Sequence, residues 1–275
     1  MDKRELTPAQ TAQRSIQRKY VKQLWNPFIT AVKQYRLIEA GDHVAACISG
    51  GKDSFLTATL LHMLHKHSDV PFELSFLCMD PGYRPEARQL ILDNAARLEL
   101  PLEIFDANIF SYVVKQEGSP CYLCARMRRG HLYAEAQARG CNKIALGHHF
   151  NDVIETTLLS MLYGAQVQSM PPKLRSTNFE GMQLIRPLYQ VHEADVIAWQ
   201  NYNALEFIRC ACPFEYDPDT AKTSKRREVK NLIAQLKQTH PNVDKCIFQS
   251  IHNVRLDTMI EWTHKGVEHD FLEGY

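Results

Sequence analysis

Two glycines, a lysine, an acid and two hydroxyls stand together in Ser49-Gly50-Gly51-Lys52-Asp53-Ser54. This set can cradle phosphate. Gly50 and Gly51 let backbone N–H groups approach phosphate oxygens that a Cβ would hold off, Lys52 adds a point charge, and Ser49 and Ser54 can donate from their hydroxyls. Asp53 is an acid beside an anion site and makes sense where a cation such as Mg²⁺ bridges it to the phosphates. The pattern is not a Walker A loop, because Ala46 and Asp53 occupy the positions where that motif has glycine and Ser or Thr. The competing reading is a plain Gly-Gly turn with Asp53 or Ser54 as helix cap.

Cys121-Tyr122-Leu123-Cys124 has the two-residue spacer that lets two sulfurs face one metal, and Arg126, Arg128 and Arg129 follow closely enough to stabilise thiolates. A redox pair, a zinc half-site and a cluster half-site all share this spacing. Cys210-Ala211-Cys212 can complete either a four-cysteine zinc site or an iron–sulfur cluster with one cysteine spare. Cys47 and Cys78 fall in expected strands and read as small buried hydrophobes. Gly147-His148-His149-Phe150-Asn151-Asp152 combines a glycine, two imidazoles and a carboxylate. Asp152 with Glu155 reads as a capping box, which leaves a catalytic role open, and the two histidines read equally well as structural.

Each motif sits where a strand hands over to a helix. Apolar runs predict strands at 43–48, 73–79, 101–105 and 142–146, and three-to-four-residue periodicity predicts helices near 53–66, 84–98, 122–139 and 153–163. Such alternation predicts a parallel sheet with helices on both faces, a Rossmann-like α/β fold whose ligands bind at the carboxyl ends of the strands. The glycine turn after the first strand and the Gly147 turn then share one sheet edge, and the first helix opens its positive end onto the glycine turn. Residues 1–37 read as an N-terminal helical extension, 38–205 as the α/β domain, and 206–275 as a C-terminal helical segment. Between Gly164 and Gln183 the periodicity lapses into a loop containing Met170-Pro171-Pro172-Lys173; helical signals return near 192–202 and 225–236.

A chain of 275 residues with 45% hydrophobic and 23% charged residues is ordinary for a globular protein. No apolar run approaches the roughly 18 residues of a membrane span, and the first residues carry no signal-like core, so a cytoplasmic protein without membrane attachment is expected. Eight cysteines in such a chain suggest reduced thiols and metal ligation rather than disulfides. Net charge is only +1, so any nucleic-acid contact must come from local clusters: Arg126, Arg128 and Arg129, and then Lys225, Arg226 and Arg227. Both clusters also read as solvated helix faces.

Taken in order, SGGKDS, CYLCARMRRGHLY, ALGHHFNDVIETTLLSMLYGAQVQSMPPKL, IRPL and a late cysteine resemble the PP-loop ATP pyrophosphatases, specifically the tRNA 2-thiocytidine synthetase family. The resemblance implies a PP-loop fold and ATP-dependent thiolation. The C2 oxygen of cytidine at tRNA position 32 would be adenylated, with pyrophosphate held by the glycine turn and Lys52, and sulfur would then replace AMP. It further implies a 4Fe-4S cluster on three cysteines: Cys121, Cys124 and, by spacing, Cys212, with Cys210 as the alternative. Asp152 matches a family acid near the nucleotide, and Asp80 and Gly147 match positions near ATP, beside Ser49, Gly50, Gly51, Lys52, Asp53 and Ser54. Implied partners are tRNA, held by the two basic clusters, a sulfur donor such as a cysteine desulfurase, and a second copy in a homodimer.

Two other readings compete. A PP-loop thiolase of the 2-thiouridine type would carry terminal CxxC pairs that are not found near the N-terminus here, and a lysidine synthetase would not need the cysteines. A non-catalytic nucleotide-binding protein with a structural zinc site is the reading from a different class.

Overall fold

Val44, Ala45, Ala46 and Cys47 are apolar on both sides of the chain, and such a strand is stable only in the middle of a sheet covered on both faces. They form β1 (His43–Cys47), and parallel neighbours lie on either side of it. In this computed structural model, residues 5–113, 120–208 and 225–273 are described. Two compact units are present, one of residues 1–153 and 170–225, the other of residues 154–169 and 226–275.

The first unit is built on β1, β2 (Glu73–Asp80), β3 (Leu102–Asp106), β4 (Lys143–Ala145), β5 (Lys173–Arg175) and β6 (Gln183–Ile185), in the spatial order β3-β2-β1-β4-β6-β5. All pairs are parallel except β5 with β6 at the edge. This is the expected α/β architecture, with one difference. The segment between Gly164 and Gln183, expected as loop, contributes the antiparallel strand β5, whose three residues are too few to show a period before β6 supplies a partner.

Chain order reverses between β1 and β4. That reversal opens a crevice beyond the carboxyl ends of the two strands, the usual ligand position in such sheets. Helices α1 (Pro8–Arg18) and α2 (Asn26–Gln34), joined by a π-helical turn at Val21–Trp25, precede β1 and belong to the first unit. A Thr7–Gln10 capping box starts α1. Helices α3 (Lys52–His67), α4 (Pro85–Arg97), α5 (Ile109–Val113), α6 (Pro120–Ala138), α7 (Phe150–Gly164) and α8 (Glu193–Tyr202) follow. On one face of the sheet, Tyr133 and Ala136 of α6 pack against Ala45, Cys47, Leu77, Ile144 and Leu184. Elsewhere in the unit, Phe55 of α3 stacks on Phe207 at 5.1 Å between ring centroids, and Trp199 of α8 lies 6.5 Å from the same ring.

Buried Lys143 at the start of β4 is held by charge. Its ammonium pairs with Asp42 and donates to the Leu37 carbonyl at 3.0 Å, while Asn142 donates to the other Asp42 oxygen at 2.9 Å. Burial alone would push the Asp42 carboxyl up, but Lys143, the Glu39 N–H and Asn142 together bring it below its ordinary value.

The second unit contains the rest of α7 from Ile154, helices α9 (Lys225–Thr239) and α10 (Val243–Ser250), and a hairpin of β7 (Glu261–His264) and β8 (Val267–Asp270). Of the segment 206–275, expected to be helical, Lys225–Thr239 and Val243–Ser250 are helices, and the described residues beyond them include the β7–β8 hairpin. The hairpin turns on Lys265 and Gly266, both with positive φ, the pairing that matches the twist of two strands.

Candidate active site

The turn after β1 is locked from inside. Ser54 accepts from the Ser49 N–H at 3.1 Å and donates to the Gly51 carbonyl at 2.8 Å, so its buried hydroxyl closes the loop and its donor is already used. Gly50 has φ +88°, and a Cβ there would stand 2.8 Å from Ile208 Cδ1, so both backbone and space select glycine. Gly51 precedes the first turn of α3 with no side-chain cap, leaving that helix end open to an anion.

Lys52, at the start of α3, bonds Asp53 at 3.0 Å and Glu193 at 3.3 Å. Burial disfavours its charge, yet the two carboxylates more than offset this and hold its pKa above the ordinary lysine value. Glu193 begins α8, where its N–H donates to Asn151 Oδ1 at 2.9 Å. A phosphate reaching Lys52 would therefore meet a lysine already balanced by two acids.

Gly147 explains how close the β1 and β4 turns come. A Cβ on it would lie 2.8 Å from the Asp53 carbonyl carbon and 2.9 Å from the Ser54 nitrogen. Both are backbone atoms, so Gly147 acts first through close approach to the start of α3. Buried His149, not Asp152, caps α7: its Nδ1 faces the Asp152 N–H at 3.4 Å, while Asp152 Oδ2 accepts from the His149 N–H at 3.0 Å. This reciprocal cap replaces the expected Asp152–Glu155 pairing, and Glu155 instead meets Arg226 at 3.3 Å within the second unit. The other ring nitrogen of His149 lies 3.7 Å from Asp53, so His149 stands between the two aspartates.

Asp80 is buried. One oxygen accepts from the Gly82 and Tyr83 N–H groups at 2.8 and 2.6 Å, and the other meets Arg88 at 2.6 Å. Asp80 thus builds the turn between β2 and α4. Tyr83 in that turn donates to the Ser49 carbonyl at 3.1 Å, and burial raises its pKa well above the ordinary phenol value.

Positions 121 and 124 lie one turn apart on α6, and Cys124 is buried with Met79, Ile109 and Phe110, with Tyr83 packed against this group. Cys210 and Cys212 lie outside the described residues. Among the described residues no group of three or more His, Cys, Asp or Glu side chains is arranged to hold a metal ion. Cys47 and Cys78 are buried as expected, and burial pushes the Cys78 thiol up to about 12. On α6, Arg126 and Arg129 are exposed and Arg128 half-buried, its charge felt at the Tyr83 hydroxyl. On α9, Lys225, Arg226 and Arg227 are all exposed.

Residues 13–213 match the PP-loop domain family. The chain is 36% identical over 229 residues to the tRNA-cytidine(32) 2-sulfurtransferase of Syntrophotalea carbinolica, covering 82% of this chain and 86% of that protein. The protein of the same name from Alkalilimnicola ehrlichii is 39% identical, covering 82% and 71% of the two chains. This chain belongs to the tRNA-cytidine(32) 2-sulfurtransferase family. It is an enzyme of the PP-loop group, as its motifs imply. The fold is shared with the U34-tRNA thiolase NcsA from Methanococcus maripaludis, solved with its [4Fe-4S] cluster, at a TM-score of 0.66 and 22% identity over 82% of this chain and 76% of that one.

Glu193 and Tyr83 were not singled out by motif, whereas His149 stands in the Gly147–Asp152 turn and Arg186 in IRPL, with no role assigned to either. Glu193 stands 141 residues from Lys52, and its only local signal is an acid in the first turn of a helix. Tyr83 is an aromatic in a turn, a pattern shared by many residues without a role.

Proposed function

We propose that this protein adenylates the C2 oxygen of cytidine 32 in tRNA and replaces that oxygen with sulfur, giving 2-thiocytidine. The observation that carries this reading joins the cysteine helix to the phosphate turn: Tyr83 packs in the Cys124 cluster and its hydroxyl donates to the Ser49 carbonyl. A site that both activates a base and receives sulfur needs these two features side by side.

In the first step the C2 oxygen attacks the α-phosphorus of ATP and pyrophosphate leaves. Gly50 and Gly51 admit the departing phosphates to the open end of α3, and Lys52 stabilises their charge. Asp53, next to Lys52, would hold Mg²⁺, which would supply further neutralisation. Asp152, oriented by its cap with His149, is the acid proposed to act near the nucleotide. In the second step sulfide adds at C2 and AMP departs with the original oxygen, so one C–S bond forms as one C–O bond breaks. A [4Fe-4S] cluster on Cys121, Cys124 and Cys212 would supply an iron without a protein ligand, the chemistry that retains sulfide. The buried setting of Cys124 and the helical CxxC spacing suit such a group.

The reading includes a division into residues 1–37, 38–205 and 206–275, RNA contacts from Arg126, Arg128, Arg129, Lys225, Arg226 and Arg227, a cysteine desulfurase as sulfur source, and a homodimer. Cytoplasmic action suits a tRNA substrate, and among the described residues no helix is long and apolar enough to cross a membrane. The test is anaerobic incubation of the purified protein with ATP, sulfide and unmodified tRNA, followed by mass analysis of the nucleosides. 2-Thiocytidine at position 32 is expected; a cluster-loaded protein that yields none, or yields 2-thiouridine, would overturn the proposal.

A further inference from the structure

Arg186 follows the last residue of β6 and stands at the sheet edge that carries the β1 and β4 turns, with Ala145 paired to Ile185 and Ala46 to Ala145. It is therefore two strands away from the phosphate turn, about 10 Å across the sheet. Its side chain is only 7% exposed. It donates to the Pro171 carbonyl, but its Nε, also buried, has no hydrogen-bond partner among the described residues. A buried guanidinium without a full set of acceptors is costly.

The charges around it make that cost larger. Burial is the main cause that pulls the Arg186 pKa down to about 10, and Arg129 on α6 adds to it as a second cation; Asp152, Tyr189 and Tyr133 act in the opposite sense. Asp152 is already engaged with His149. Tyr133, one turn after Arg129 on α6, packs in one buried cluster with Leu184 of β6, which sets that turn of α6 beside the strand leading into Arg186 and brings a second cation to its neighbourhood.

We propose that Arg186 and Arg129 form an anion subsite for a phosphodiester of the RNA substrate, separate from the pyrophosphate cradle at β1. Guanidinium groups bind phosphate through paired N–H donors, and an arginine held by its neighbours loses little freedom in doing so. Position favours RNA over ATP. The nucleotide phosphates are anchored at β1, and Gly147 is pressed against Asp53 and Ser54 on the strand between, while Arg129 lies on the helix that carries Cys124. An RNA backbone held there would place a neighbouring base between the cysteine helix and the nucleotide turn. The inference rests on the thiolation reading for the identity of the RNA.

The test uses the full-length protein, a fluorescent anticodon stem–loop RNA, and the variants Arg129→Gln and Arg186→Lys, the latter keeping the charge while removing Nε. Each should weaken RNA affinity by about tenfold, the scale of one lost charged hydrogen bond. Arg129→Gln should also flatten the log K against log salt slope by about 0.7. ATP affinity should stay at the parental value in both. Unchanged RNA affinity, or weakened ATP affinity with RNA binding intact, would overturn the subsite. Should Arg186→Lys fail to fold, exposed Arg129 decides the matter alone. A protein that makes no 2-thiocytidine yet binds RNA through Arg129 would remove the thiolation reading and leave the subsite standing.

Discussion

Gly147 meets the strictest spatial demand at the site, because its missing side chain is what lets the β4 turn touch the start of α3. Gly147→Ala must push backbone from backbone and should cost about 1–3 kcal/mol, read as a lower urea midpoint, together with weaker ATP binding. A variant with parental stability and ATP affinity would show that the two turns have slack. Lys52→Ala should cripple pyrophosphate release under saturating ATP and tRNA, with iron content unchanged. Release at the parental rate would take the phosphate role from Lys52. The sign of its pKa shift matters here. A raised lysine pKa means the charge is fully present below the ordinary value near 10.4 and lost only as pH rises through the folded value. Phosphate binding through Lys52 should therefore be flat from about pH 6 to about pH 9.

Elements hold these residues in place through a few buried contacts. Strand β4 begins with Lys143, whose charge is matched inside the protein by Asp42. Asp42→Asn would strand a buried ammonium and should destabilise the first unit by about 3–5 kcal/mol, visible in thermal or urea unfolding. The Asp42 pKa is lowered, so this stability is present above the ordinary carboxylate value near 3.9 and disappears as pH falls through the folded value. Helix α6 is the other critical element, since it carries both Cys124 and Arg128 towards Tyr83. Cys121→Ala, Cys124→Ala and Cys212→Ala should each abolish thiolation and the absorbance near 400 nm expected of an iron–sulfur cluster. Cys210→Ala should retain part of both. Absorbance lost in Cys210→Ala but kept in Cys212→Ala would reverse the assignment of the third ligand.

For the molecule as a whole, a net charge of +1 means that RNA affinity must come from where the cations sit. The two units carry separate clusters, and one member of the second is already occupied: Arg226 pairs with Glu155 at 3.3 Å and reaches Thr156 at the same distance. Arg227→Ala should therefore flatten the salt dependence of tRNA binding by about 0.7, while Arg226→Ala should change it less. Equal slopes for the two variants would mean that the ion pair opens when RNA arrives. Because phosphate contacts position rather than specify, neither change should alter which tRNA is preferred.

Local chemistry made the phosphate turn legible: two glycines and a lysine between an apolar run and a helical period leave little choice of structure, and strand–helix alternation implied the parallel sheet. The helix starting at residue 225 and the burial of Cys47 and Cys78 follow from the same short-range patterns. Strand β5 has no such pattern in three residues and exists because β6 offers it an edge. Asp80 reads as a bare strand-end carboxylate until Arg88 and the turn at Gly82 close around it. Which residue caps α7, which acid meets Lys52 and what surrounds Arg186 were decided by packing, since Glu193 and Lys52 are 141 positions apart and touch only once α8 has folded against α3. Hydrogen bonds and charge pairs act over a few ångströms in space, whereas periodicity and spacing register only neighbours along the chain.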